Sequence, residues 1–187
     1  MFTGIVQGIA TVEKITAEPG LSTFAIRFPP EKLGGVSIGA SVAINGTCLT
    51  VTRQDDAVLY FDAMQETLGL TTLGDLQPGD KVNFERAARI GDEIGGHLLS
   101  GHIHTTARIS EILRPENNVT LWLEVPEGWT RYLFPKGYIA INGASLTIGE
   151  VRGNRFNLHM LPATLRATPL GDIPGGAVAI QPIPPAP

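Results

Sequence analysis

Hydrophobic and polar residues alternate with period two along Ser22-Thr23-Phe24-Ala25-Ile26-Arg27-Phe28, which places Phe24, Ile26 and Phe28 on one face of a half-buried strand. Gly8-Ile9-Ala10-Thr11-Val12-Glu13 and Val58-Leu59-Tyr60-Phe61-Asp62-Ala63 are more continuously apolar and rich in β-branched or aromatic residues, the pattern of strands buried on both faces. Turn-forming groups punctuate the chain at short intervals: Glu18-Pro19-Gly20, Gly34-Gly35, Asp55-Asp56, Gln77-Pro78-Gly79-Asp80 and Gly153-Asn154. Helix is predicted only over residues 30–33, 65–68, 128–133 and 163–165, none long enough to carry a helical core. The pattern therefore predicts an all-β protein of many short antiparallel strands, with short helices only.

A repeat organises these strands. Ile44-Asn45-Gly46-Thr47-Cys48-Leu49-Thr50-Val51 returns 97 residues later as Ile141-Asn142-Gly143-Ala144-Ser145-Leu146-Thr147-Ile148. The same spacing carries Thr3-Gly4 to Ser100-Gly101, Thr67-Leu68 to Thr164-Leu165, and Leu73-Gly74-Asp75 to Leu170-Gly171-Asp172. Two copies of about 85 to 90 residues imply two closed or nearly closed β units, since closure removes exposed sheet edges and a solenoid needs more repeats. Residues 89–96 are the linker, giving an N-terminal unit over 1–96 and a C-terminal unit over 97–187 with a proline-rich tail.

Asn-Gly favours a tight hairpin with positive φ, after which Leu49 and Leu146 face inward while Thr50 and Thr147 face the other way. The copies differ where chemistry is concentrated: Cys48 against Ser145, Ser41 against Tyr138, Ile5 against His102, and Asp62 against His159. His102 falls in a segment matching Gly4-Ile5-Val6 and read as a strand, where an imidazole can transfer protons. His102 and His104 would share a strand face downstream of His97, but no carboxylate or cysteine completes a metal-ligand spacing, and no metal is expected.

The 187 residues carry a net charge of -4 without clustered Lys or Arg, which excludes nucleic acid and anionic membranes as expected partners and leaves a small molecule. Cys48 is the single cysteine, so no intrachain disulfide framework exists. No signal peptide is legible at the N-terminus and no run approaches the roughly 18 apolar residues that span a bilayer, so a cytoplasmic protein is expected.

Met1-Phe2-Thr3-Gly4-Ile5-Val6-Gln7-Gly8, Asn45-Gly46-Thr47-Cys48-Leu49-Thr50-Val51, Asp92-Glu93-Ile94-Gly95-Gly96-His97-Leu98-Leu99-Ser100-Gly101-His102 and Ser145-Leu146-Thr147 together closely resemble the riboflavin synthase family. The resemblance runs over about residues 1–180. It implies two tandem, similar six-stranded Greek-key barrels, each binding one 6,7-dimethyl-8-ribityllumazine. The implied reaction is a dismutation yielding riboflavin and 5-amino-6-ribitylaminouracil, with no cofactor or metal. Homotrimers and lumazine synthase are the implied protein partners.

The first pocket implied by the resemblance comprises Gly4, Ile5, Val6, Cys48, Leu49, Thr50, Asp62, Ala63, Met64, Gln65, Glu66 and Thr67, with Ser41 beside it. The second comprises Gly101, His102, Ile103, Lys136, Ser145, Leu146, Thr147, Leu161, Pro162, Ala163, Thr164, Leu165 and Arg166. Ser41, Cys48 and His102 are the residues implied to assist addition or proton transfer. The chain departs from the family after Ile180: the four prolines of Gln181-Pro182-Ile183-Pro184-Pro185-Ala186-Pro187 cannot extend the helix that holds family trimers. An acidic residue usual after the last strand is replaced by Gln181 or Ile183. Lumazine proteins, which bind lumazine or flavin without catalysis, share the resemblance and are the alternative.

Overall fold

The computed structural model describes residues 1–116, 118–171 and 177–182; the part of the proline-rich end at 183–187 lies outside them. Twelve strands among the described residues form two closed antiparallel barrels. The first joins β1 (Gly8–Glu18), β2 (Leu21–Arg27), β5 (Val58–Met64), β4 (Thr47–Asp55), β3 (Ser41–Ile44) and β6 (Lys81–Arg86), in that order around the barrel. The second joins β10 (Ala144–Arg152), β11 (Arg155–Met160), β8 (Val119–Glu124), β7 (Thr105–Leu113), β12 (Ala177–Pro182) and β9 (Tyr138–Ile141). Read from β7, the second cycle repeats the first, so both are the same Greek key.

Each barrel is filled by one face of its strands. Phe24, Phe61 and Phe84 pack with Ile26, Ile44 and Leu59 in the first; Phe156 packs with Leu121, Leu123, Ile139 and Leu158 in the second. The two-faced burial expected of β1 is not observed: Ala10 and Val12 are buried, while Ile9 and Thr11 are only partly covered. In β1 the barrel interior takes one face only, whereas β8 and most of β6 are buried on both. The helices lie where expected: α1 (Gln65–Leu70), α2 (Pro162–Ala167) and 3-10 turns at Pro30–Lys32 and Glu127–Tyr132. Two more 3-10 turns, Thr72–Asp75 and Pro169–Gly171, follow the α-helices. No described helix is long and apolar enough to cross a membrane.

The repeated Asn-Gly pairs make two-residue hairpin loops, with φ of 45° and 81° at Asn45 and Gly46 and 45° and 84° at Asn142 and Gly143. Positive φ at both loop residues matches the twist of the flanking strands. The loops also meet each other. A Cβ on Gly46 would stand 2.6 Å from the Gly143 nitrogen, and Asn83 Nδ2 donates to the Asn142 carbonyl at 2.9 Å. Beside them Phe2 and Leu99 exchange backbone hydrogen bonds of 2.8 and 2.9 Å and bury a small core with Ala43 and Ala140. The barrels are thus joined by backbone contacts along a pseudo-twofold axis.

Candidate functional site

Two polar faces lie on the outside of the barrels. Along β4, Leu49 and Val51 are buried while Cys48 and Thr50 point outward. Ser41 pairs with Thr50 and Ala43 with Cys48, so Ser41, Cys48 and Thr50 share this outer face. On β5 the buried Phe61 and Ala63 flank the exposed Asp62, whose Oδ1 accepts from the Thr23 hydroxyl at 2.7 Å. Met64, Gln65 and Glu66 continue exposed into α1, and Thr67 is half-buried. Leu49 and Ala63, expected to touch ligand, turn their side chains into the core and can offer only backbone to this face.

The second face repeats the plan with other residues. Tyr138 pairs with Thr147 and Ala140 with Ser145. His159 takes the place of Asp62 and meets the Thr120 hydroxyl at 3.1 Å. Leu161, Pro162 and Arg166 are exposed, Thr164 and Leu165 half-buried, and of Ala163 only the backbone is described. Leu146 packs against the barrel core. Lys136 is exposed, with a positive φ of 67°.

The segments assigned to these faces from the resemblance are exchanged in the structure. Gly4, Ile5 and Val6 were expected beside Cys48, yet the Gly4 carbonyl accepts from the Ser145 amide at 2.8 Å, and Val6 packs on the second barrel. Gly101, His102 and Ile103 were expected beside Ser145, yet the Gly101 carbonyl accepts from the Cys48 amide, also at 2.8 Å. Both contacts are close: a Cβ on Gly4 would stand 2.6 Å from Ser145 Cβ, and one on Gly101 would stand 2.6 Å from Cys48 Cβ. The physical reason is the Phe2–Leu99 pairing, which runs the two segments antiparallel between the barrels so that each reaches across. The Cys48 face is thus bordered by the segment leading into the second barrel, and the Ser145 face by the N-terminus.

His102 does not lie on a strand. Residues 101–104 are irregular, β7 begins at Thr105, and the exposed His102 donates its amide to Ser100 Oγ at 3.1 Å. The three neighbouring histidines go separate ways, His104 tilted against Trp129 with ring centroids 5.5 Å apart. No cluster of three or more metal-ligating side chains occurs among the described residues.

His97 emerges as a site residue that the sequence did not single out for acid–base chemistry. Its Nδ1 lies 2.5 Å from Ser145 Oγ, and its ring stacks on Tyr138 with centroids 5.3 Å apart and planes at 24°. Burial lowers its pKa from 6.5 to about 4, so the ring is neutral at physiological pH. The Nδ1–Oγ hydrogen bond takes its direction from the imidazole tautomer, and the buried Nε2 meets no hydrogen-bond partner among the described residues.

A sequence profile of the lumazine binding domain matches the chain twice, over residues 3–87 and 100–180. Riboflavin synthase of Escherichia coli (strain K12) is 51% identical over 172 residues, covering 91% of this chain and 81% of that protein. Two solved structures are similar over 98% of this chain. LumP complexed with riboflavin has a TM-score of 0.91 at 30% identity and is covered over its whole length. LumP complexed with 6,7-dimethyl-8-(1'-D-ribityl) lumazine has a TM-score of 0.89 at 29% identity and is covered to 99%.

Proposed function

The chain belongs to the lumazine-binding family, and on that premise we propose that it is a riboflavin synthase, a transferase that converts two molecules of 6,7-dimethyl-8-ribityllumazine into riboflavin and 5-amino-6-ribitylaminouracil. The observation that carries this reading is identity of 51% to the Escherichia coli enzyme across 91% of the chain, taken with two polar faces of unequal chemistry. A dismutation needs such inequality: one lumazine gives up a four-carbon unit and the other receives it. Residues 1–96 and 97–187 each supply one barrel and the strands of one lumazine face, with the bordering segments exchanged between them.

Most of the catalysis is positioning. Holding two rings in register converts an encounter into an intramolecular step, worth about 7–11 kcal/mol of barrier at best. The substrate's C7 methyl group supplies the carbanion and its ring the electrophile. The protein adds proton transfer. Cys48, Ser41 and His102 serve one face, His102 arriving from the opposite repeat; Ser145, held by His97, serves the other. Thr50 and Thr147 hydroxyls and the backbone of the crossing segments hold the pteridine edge. The reacting faces come from different copies of the chain in a homo-oligomer, whose family form is a trimer held by a helix that the prolines after Ile180 do not extend. The exposed Ile5, Met64, Phe134, Tyr138 and Leu161 give these faces an apolar rim for such contact. On this reading the enzyme works in the cytoplasm, with lumazine synthase as a partner.

The similarity to LumP favours one alternative, a protein that binds lumazine or flavin without turnover. Incubating the protein with 6,7-dimethyl-8-ribityllumazine and following riboflavin absorbance separates the two. Steady riboflavin formation is expected; tight binding without product would establish the alternative.

A further inference from the structure

Two buried side chains hold the crossing segments from behind. Glu85, near the end of β6, accepts at Oε1 from the Thr3 amide (2.6 Å) and hydroxyl (2.8 Å), and at Oε2 from the Gly4 amide (2.9 Å). Gln181 is its structural counterpart, since Ala43 pairs with Glu85 and the equivalent Ala140 with Gln181. Gln181 Oε1 accepts from the Gly101 amide at 3.1 Å, and its Nε2 donates to Ser100 Oγ at 2.8 Å. Each barrel thus grips a hydroxyl-glycine pair whose glycine carbonyl then takes the amide of Ser145 or Cys48. One grip is a carboxyl that can gain a proton; the other is a carboxamide that cannot.

We propose that Glu85 and Gln181 are the positioning residues of the two ligand faces, and that only the Glu85-held face, bearing Ser145 and His97, binds its lumazine more weakly as pH falls. The proposal rests on reading both faces as lumazine sites. Ionised Glu85 meets three donors with acceptor oxygens only, whereas a protonated carboxyl turns one oxygen into a donor and loses the charge that strengthens these bonds. Burial raises the Glu85 pKa above 4.5, against the opposing pull of its three hydrogen bonds and the N-terminal ammonium. Glu85 lines a cleft of about 470 Å³ together with Ile5, Arg86, Asp92 and Glu93.

The other charged neighbours are accounted for. Arg86 donates to the carbonyls of Lys32 and Gly34, and Asp92 accepts from the Arg89 amide. Glu93 borders the cleft, β3 presents only Ala43, and Gln7 bonds the Arg86 amide. His97, on the strand of chain bonded to the Thr3 carbonyl, titrates near 4 and is neutral above it.

The test uses the full chain. In a nitrogen-15 NMR titration from pH 8 down to about 4.5, the Thr3 and Gly4 amides should shift together with a midpoint above the ordinary glutamate value, while the Gly101 amide stays put. Lumazine fluorescence titrations over the same range should show one of two sites weakening about tenfold, the loss expected when charged hydrogen bonds become neutral. Glu85→Gln should flatten that profile, and Gln181→Glu should confer it on the second site. Static Thr3 and Gly4 amides, equal pH profiles at both wild-type sites, or an unchanged profile in E85Q would overturn the proposal alone. Absence of lumazine binding at every pH would overturn the reading of the faces as well. The wild-type titration and Q181E keep the test decisive even where E85Q fails to fold.

Discussion

His97 Nδ1 and Ser145 Oγ stand 2.5 Å apart, and the Tyr138 ring covers the imidazole on one side. The pair joins a residue just after the linker to the start of strand β10, so the Ser145 hydroxyl has His97 as its partner. Ser145→Ala should lower kcat by about a hundredfold, the lower range for loss of a positioned proton-transfer group. Ser145→Cys, which copies the first repeat, should retain more activity than Ser145→Ala. Riboflavin absorbance measures both; full activity in the alanine variant would remove Ser145 from the chemistry.

The same histidine makes stability depend on pH. Its folded pKa, about 4, lies below the unfolded value of 6.5. The unfolded chain therefore takes up the proton first, and the contribution of neutral His97 is present above pH 6.5 and lost as pH falls through about 4. Allowing for its partial exposure, the loss should be about 1–2 kcal/mol. Urea unfolding at several pH values should show this fall in the wild type and a flatter curve in His97→Gln, which carries no titrating group. Parallel curves would show that His97 is screened by solvent.

Gly101 and Gly4 are needed for the crossing itself. Gly101 has φ of 79°, and a Cβ there would stand 2.6 Å from Cys48 Cβ and 2.8 Å from the Phe2 ring. Gly101→Ala should destabilise the fold by about 2 kcal/mol and weaken lumazine at the Cys48 face, although position 101 belongs to the other repeat. Gly20 is the control: its φ is 80°, but nothing lies within 4 Å of an added Cβ. Gly20→Ala should cost about 1 kcal/mol of backbone strain and leave binding untouched. Equal binding losses in the two variants would argue against the crossed arrangement.

The fold was largely legible because the repeat and the Asn-Gly loops are local signals. Asn45-Gly46 and Asn142-Gly143 fixed the hairpins, and alternation placed Leu49 inside and Thr50 outside. The crossing was not legible. A spacing of 97 relates Gly4 to Gly101 whichever barrel each touches, and only the Phe2–Leu99 pairing decides between them. Glu85 escaped for a related reason: its counterpart Gln181 lies 96 residues away, so that a strict repeat aligns Glu85 with Pro182 instead. His97 falls outside the segments matched at a spacing of 97, so comparing the copies did not expose it.

The contact between the hairpin loops predicts how the barrels share stability. A Cβ on Gly46 would meet the Gly143 nitrogen at 2.6 Å and its Cα at 2.9 Å, backbone atoms that cannot swing away. Gly46→Ala should therefore cost more than about 2 kcal/mol and push the barrels apart. Asn83→Ala, which only removes the 2.9 Å bond to the Asn142 carbonyl and the buried amide, should cost about 1–2 kcal/mol. Both tryptophans, Trp122 and Trp129, belong to the second half, so tryptophan fluorescence reports that barrel while circular dichroism reports both. In the wild type the two unfolding curves should coincide, because each barrel is buttressed by the other. In Gly46→Ala they should separate, with part of the dichroism lost before the fluorescence changes. Coincident curves in that variant would mean that the Phe2–Leu99 pairing alone couples the barrels.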